Sequence, residues 1–173
     1  DRGLGVGEEA VRLGLERARW PGRMQLIPGD PPLLLDGAHN AAGARALATS
    51  LDRLFPGEPV TFLMAATGDR EPSSVIDPLV PVARGFVFTR PASSRLPGVD
   101  PSLLAEHARL RGSEAEVVEP VPEAVEVALL RARRHGGIAC ACGSLYLVGE
   151  ILAYLEGKGV PLGEEKQGVG KAP

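Results

Sequence analysis

Leu33-Leu34-Leu35-Asp36-Gly37-Ala38-His39-Asn40 is the stretch from which the fold can be read. An apolar run with no polar interruption stops at residues that permit a turn or carry chemistry. Behind them Ala44, Leu47, Ala48, Leu51 and Leu54 recur at helical spacing. The pattern is that of a buried strand, a tight turn and an amphipathic helix. In an open α/β sheet the mouth of such a turn is where ligands bind. Asp36 would stand at the strand's carboxyl end. His39 or Asn40 would sit at the helix N-terminus, where unpaired N–H groups and the helix dipole favour an anion. Asp and Asn are also ordinary capping residues, so a purely structural role for Asp36 and Asn40 stays open on spacing alone.

Outward from this stretch, strands and helices alternate. Upstream, Glu8 to Trp20 has helical periodicity and stops at Pro21-Gly22. Arg23 to Ile27 alternates like a strand, and Pro28-Gly29-Asp30-Pro31 turns it back to pair antiparallel with the central one. Downstream, Val60 to Ala66, Gly85 to Thr89, Glu114 to Val118 and Gly137 to Cys142 are further strands. Helices are expected over Pro72 to Val82, Ser102 to Leu110, the long segment from Pro120, and the segment after Gly143-Ser144. This alternation predicts an α/β fold: a Rossmann-like, mostly parallel sheet with helices on both faces and one early antiparallel edge strand. Residues 1–20 are expected to be a linker or the end of a preceding domain, 21–156 the folded domain and 157–173 a polar, flexible tail.

Composition narrows the function. The chain has 173 residues, enough for one domain with its own core. A net charge of −3 gives no basic footprint for nucleic acid. No apolar run approaches the ~20 residues needed to cross a bilayer, and the N-terminus lacks the pattern of a secretory signal. A cytoplasmic protein with no membrane partner is expected. Cys140 and Cys142 lie two apart on one strand face, where they suit small core positions better than a disulfide or a metal site.

Chemistry-bearing residues collect at the predicted strand ends: Asp36, Gly68-Asp69-Arg70-Glu71, Thr89-Arg90 and Gly143-Ser144. In a doubly wound sheet these converge on one edge. Neither a G-x-x-x-x-G-K-[ST] phosphate loop nor a G-x-G-x-x-G fingerprint is present, and Ser144 does not lie in a nucleophile elbow. Ser144 also reads as a simple helix cap.

Three segments, Trp20-Pro21-Gly22-Arg23, Leu35 to Asn40, and Gly143-Ser144-Leu145-Tyr146-Leu147-Val148-Gly149-Glu150, resemble in order and separation the C-terminal domain of folylpolyglutamate synthase and dihydrofolate synthase, within the Mur ligase superfamily. The resemblance covers roughly Trp20 to Leu155. It departs from the family's acidic-Lys-acidic segment, which reads Asp69-Arg70-Glu71 here. By the same resemblance Arg95 would correspond to a family arginine in the loop before the fourth helix. The resemblance implies an ATP- and Mg2+-dependent ligase that activates a carboxylate as an acyl phosphate, which the amino group of L-glutamate then attacks. The acceptor would be a folate or dihydropteroate. The phosphate loop and most magnesium ligands would belong to an N-terminal domain outside this chain, and the absence of an initiating Met at Asp1 fits a fragment.

Within that half-site the resemblance gives Arg23 and Asp36 to ATP, with Arg23 near phosphate or ribose and Asp36 accepting from ribose hydroxyls. It gives His39 a catalytic place beside the transferring phosphate and the incoming glutamate, as a charged donor stabilising negative charge. It gives Ser144 to a glutamate carboxylate. Two other readings stay open: a different amino-acid ligase of the same superfamily, and a non-catalytic nucleotide- or amino-acid-binding module.

Overall fold

The uninterrupted apolar runs become the centre of a sheet. The computed structural model describes residues 5–18, 20–68, 71–95 and 97–162. Its strands are β1 (Gln25–Ile27), β2 (Leu33–Leu35), β3 (Val60–Met64), β4 (Ala83–Phe88), β5 (Glu114–Val117) and β6 (Ile138–Cys142). Among the described residues they form one six-stranded sheet in the order β1-β2-β6-β3-β4-β5. All neighbours are parallel except β1, which runs antiparallel to β2 at one edge. Every residue of β2, β3 and β6 is buried, as strands covered on both faces require. The far edge strand, β5, is polar and partly exposed.

Strand periodicity divides the core into two layers. On one face α2 (Ala41–Leu54), α3 (Pro72–Ile76) and α4 (Pro101–Leu110) pack on Leu34, Phe62, Met64, Phe86, Phe88, Cys140 and Cys142. The Phe62, Phe86 and Phe88 rings stack across this layer at 5.4 and 5.5 Å between centroids. On the other face α5 (Val121–His135) and α6 (Leu145–Gly157) pack on Leu33, Leu35, Leu63, Val87, Ala139 and Ala141. Helices following β2, β3 and β4 therefore lie on one side, and those following β5 and β6 on the other. The chain returns from the far edge to insert β6 between β2 and β3. Both cysteines are free and buried, as their spacing suggested.

The fold class matches the sequence expectation, and the departures are local. The helix expected from Pro72 to Val82 ends at Ile76, and a separate 3-10 turn covers Val80–Val82. Pro78 and Pro81 lack the N–H groups that a continuous helix needs. The segment is held to α4 instead: Asp77 Oδ1 accepts from His107 Nε2 (2.7 Å) and Arg111 Nε (3.0 Å), and Oδ2 from Arg111 Nη2 (2.8 Å). The bond from His107, with Arg111 behind it, holds the Asp77 carboxyl below the usual carboxylate range. The first helix, α1 (Glu8–Arg17), stops short of Trp20 and buries no residue. Beyond α6, Val160 and Leu162 still pack on the second layer, and Gln25 Nε2 donates to Leu162 O at 2.7 Å. The remainder of the expected tail, 163–173, lies outside the described residues, as do Asp69 and Arg70. No described helix is long and apolar enough to cross a membrane.

Candidate functional site

Leu35 of β2 is in register with Ala141 of β6. Asp36 and Gly143-Ser144 therefore leave neighbouring parallel strands at the same edge. From there β2 feeds a helix on one face and β6 a helix on the other, which opens the crevice where ligands bind in such sheets. The two loops are bonded to each other: Asp36 N–H donates to Ala141 O (2.9 Å) and Gly143 N–H to Ala38 O (2.7 Å). Gly143 has φ +94°, and a Cβ there would stand 2.2 Å from Ala65 O, so only glycine fits.

Asp36 is 8% exposed and works mainly on the backbone. Oδ1 accepts from Ala38 N–H at 2.8 Å and Oδ2 from Met24 N–H at 3.0 Å. Met24 carries φ +44°, an uncommon conformation for a non-glycine residue, and the carboxylate holds it there. The loop before β1 is thereby fastened to the end of β2. A carboxylate has about four lone-pair sites, so each oxygen keeps capacity for another donor. Anchoring and ligand binding are compatible at Asp36.

Gly37 joins the remaining parts. Its N–H donates to Gly22 O (2.7 Å), which also accepts from Arg23 Nη1 (3.4 Å). A Cβ on Gly37 would lie 1.6 Å from Arg23 Nη1 and 2.5 Å from Leu145 Cδ2, so the guanidinium occupies the space left by the missing side chain. Its carbonyl lies 2.8 Å from His39 Nδ1. Asn40 fulfils the capping role: its Oδ1 accepts from Gly43 N–H at 2.8 Å. Arg23, Asp36, His39 and Asn40 line one cavity of about 340 Å³, together with Met24, Ala46, Leu47 and Ser50 among others.

Ser144 lies on the adjoining loop, outside the lining of that cavity. It sits at the N-cap position of α6, yet its side chain makes no capping bond. The hydroxyl is buried, with the residue 1% exposed, and has no hydrogen-bond partner. Farther along the same edge, Thr89 Oγ1 is also buried without a partner, and Arg90 stands between Asp100 (3.8 Å) and Glu119 (3.7 Å). Arg95 is exposed. Glu150 Oε1 accepts from Ser93 N–H at 2.5 Å and ties this loop to α6.

Met24, Gly37 and Glu150 shape the site without having been singled out from sequence. Gly37 and Glu150 fell inside recognised segments, but their partners lie on other loops. Met24 carried no signal, because only its backbone takes part. Among the described residues no group of three His, Cys, Asp or Glu side chains is gathered to hold a metal ion.

Comparison with known proteins agrees with this geometry. Residues 24–154 match the family model described as dihydrofolate synthetase, C-terminal domain. A probable bifunctional folylpolyglutamate synthase/dihydropteroate synthase of Haloferax volcanii is 33% identical over 146 residues, covering 84% of this chain and 17% of that protein. The Mycobacterium tuberculosis folylpolyglutamate synthase, solved with ADP and AMPPCP, superposes with a TM-score of 0.78 at 25% identity, covering 94% of this chain and 37% of that one. The bifunctional folylpolyglutamate synthase/dihydrofolate synthase of Yersinia pestis, solved with Mn, AMPPNP and L-glutamate, superposes with a TM-score of 0.75 at 27% identity, covering 89% and 36%. The chain thus spans well under half the length of these relatives. With the fold, the strand-end loops and the family match in agreement, the chain belongs to the dihydrofolate synthetase C-terminal domain family.

Proposed function

We propose that this chain is the C-terminal domain of a cytoplasmic, ATP-dependent ligase that joins L-glutamate to a folate or to dihydropteroate through an acyl phosphate. ATP and Mg2+ would serve the full-length enzyme, with the phosphate loop and the metal ligands on a partner N-terminal domain. The observation that carries the reading is the gathering of Arg23, Asp36 and His39 around one cavity at the reversal of strand order. The Yersinia relative, of the same fold, was solved with a nucleotide analogue and L-glutamate together.

On this reading Arg23 neutralises phosphate charge or meets the ribose, and Asp36 accepts from ribose hydroxyls with its remaining lone pairs. His39 faces the transferring group and the incoming glutamate. Ser144 offers its hydroxyl to a glutamate carboxylate. Such chemistry asks the protein mainly for position and charge stabilisation. A cleft closed by two domains supplies both.

The test is a coupled ADP-release assay. Given ATP, magnesium, L-glutamate and a folate, the 173-residue chain is expected to release no ADP above background, and supplying the N-terminal domain should restore glutamate-dependent turnover. Sustained turnover by the chain alone would overturn the division of labour.

Ser144→Ala separates two roles in the same assembled enzyme. An unpartnered buried hydroxyl adds nothing to stability, so the melting temperature should hold or rise. The KM for glutamate should rise about tenfold, as for a lost bond to a charged group, with that for ATP nearly unchanged. A melt lowered by the ~1 kcal/mol of a lost cap, with normal glutamate kinetics, would show a structural role.

A further inference from the structure

We infer that His39 acts as a neutral proton acceptor for the amino group of glutamate, set in that role by the Gly37 carbonyl. The inference rests on the ligase reading above and reverses the charged-donor role expected from sequence. His39 Nδ1 lies 2.8 Å from Gly37 O, and a carbonyl oxygen only accepts. Nδ1 therefore carries the proton. In the neutral ring this places the free lone pair on Nε2. Among the described residues, no hydrogen-bonding partner is found for Nε2, and no carboxylate bonds to the ring.

His107 shows the contrast. Its Nε2 meets Asp77 Oδ1 at 2.7 Å, so that nitrogen is already committed to a partner. The other titratable side chains lining the His39 cavity are Arg23 and Asp36. Arg23 is a cation with no lone pair to offer. Both Asp36 oxygens already hold backbone N–H groups. From α2 the lining residues are Gly43, Ala46, Leu47 and Ser50, and from α6 Leu145 reaches Gly37, none of them titratable. Among the described residues, His39 Nε2 is thus the one uncommitted nitrogen base lining this cavity.

The chemistry needs such a base. Glutamate arrives as an ammonium ion with no lone pair. One proton passes from its nitrogen to Nε2. The freed lone pair attacks the acyl carbon, a C–N bond forms, and the C–O bond to phosphate breaks with its electron pair leaving on phosphate. The second nitrogen proton leaves with that phosphate, giving an amide, hydrogen phosphate and an imidazolium that returns its proton to solvent. Gly37 is a positioning residue: its carbonyl selects the tautomer, and its missing Cβ leaves room for Arg23.

Two measurements test this. In 15N-edited NMR of the chain above neutral pH, His39, assigned by its loss in His39→Gln, should show a protonated Nδ1 and a bare Nε2. The reverse pattern would overturn the inference without any variant needing to be active. In the full-length ligase, hydroxylamine, already a neutral amine near pH 7, replaces glutamate as a nucleophile that needs no base. His39→Gln should still form hydroxamate while glutamate ligation falls about 10²–10⁴-fold. Equal loss with both nucleophiles, or retained glutamate ligation, would overturn the role. Absence of hydroxamate from the wild-type enzyme would instead overturn the acyl-phosphate reading, and this inference with it.

Discussion

Asp36→Ala is expected to cost about 3–6 kcal/mol of folding stability, because the carboxylate holds two backbone N–H groups at once. Each bond to a charged group contributes about 1.5–3 kcal/mol. Losing both frees the Met24 loop and leaves two donors without partners in a largely buried place. A domain of ordinary stability, about 5–15 kcal/mol, would lose a large share of it. Asp36→Asn should cost less, since its amide oxygen can still accept from one of the two donors while its NH2 group opposes the other. Urea unfolding of both variants checks the order, and a loss below ~1 kcal/mol for Asp36→Ala would show that the clamp is not formed in solution. Asp36→Asn, as the better-folded variant, also tests the nucleotide. In the assembled enzyme its KM for ATP should rise about tenfold to a hundredfold, well beyond any rise for glutamate. An unchanged KM for ATP would confine Asp36 to its structural role.

Gly143→Ala should damage the fold on a similar scale. The residue has φ +94°, and its Cβ would lie 2.2 Å from the carbonyl oxygen of Ala65. That atom is backbone at the end of β3 and cannot swing aside. Relief requires the ends of β3 and β6 to separate, which strains the Gly143 bond to Ala38 as well. Together the conformational cost, about 1–2 kcal/mol, and the contact should exceed ~4 kcal/mol, a loss reserved for a few severe mechanisms. Gly57 provides the control, with φ +76° and nothing near its absent Cβ. Gly57→Ala should show the conformational term alone. Comparable melts for the two variants would mean that the loop after β6 relaxes freely.

The contrast between these residues shows what sequence can reveal. The strands at 33–35, 60–64 and 138–142 were legible because burial on both faces leaves runs that are apolar throughout or, at 60–64, interrupted only by Thr61. That Asp36 and Ser144 share an edge followed from parallel strand direction alone. The partner of Asp36 did not follow, because Met24 contributes a backbone N–H, which every non-proline residue possesses. The cap at Asn40 formed, whereas the one expected at Ser144 did not. Both residues fit the capping preference, and only the path of the preceding chain decides whether the hydroxyl reaches an N–H. The end of α3 was blurred for a related reason: Pro78 and Pro81 forbid a continuous helix but do not say where the last turn closes.

The loops at this edge are stitched together by main-chain bonds: Gly37 to Gly22, Asp36 to Ala141, Gly143 to Ala38, and Val99 to Ala66. An amide-to-carbonyl stitch is indifferent to the side chains it joins. The edge therefore behaves as a socket whose lining can be exchanged over evolutionary time while its frame keeps its shape. Relatives that share only 25–28% of residues yet superpose with TM-scores of 0.74–0.78 have the backbone conservation such a frame would permit. On the proposed function, acceptor preference could then drift by substitution at the rim, with no need to re-evolve the spacing of the loops.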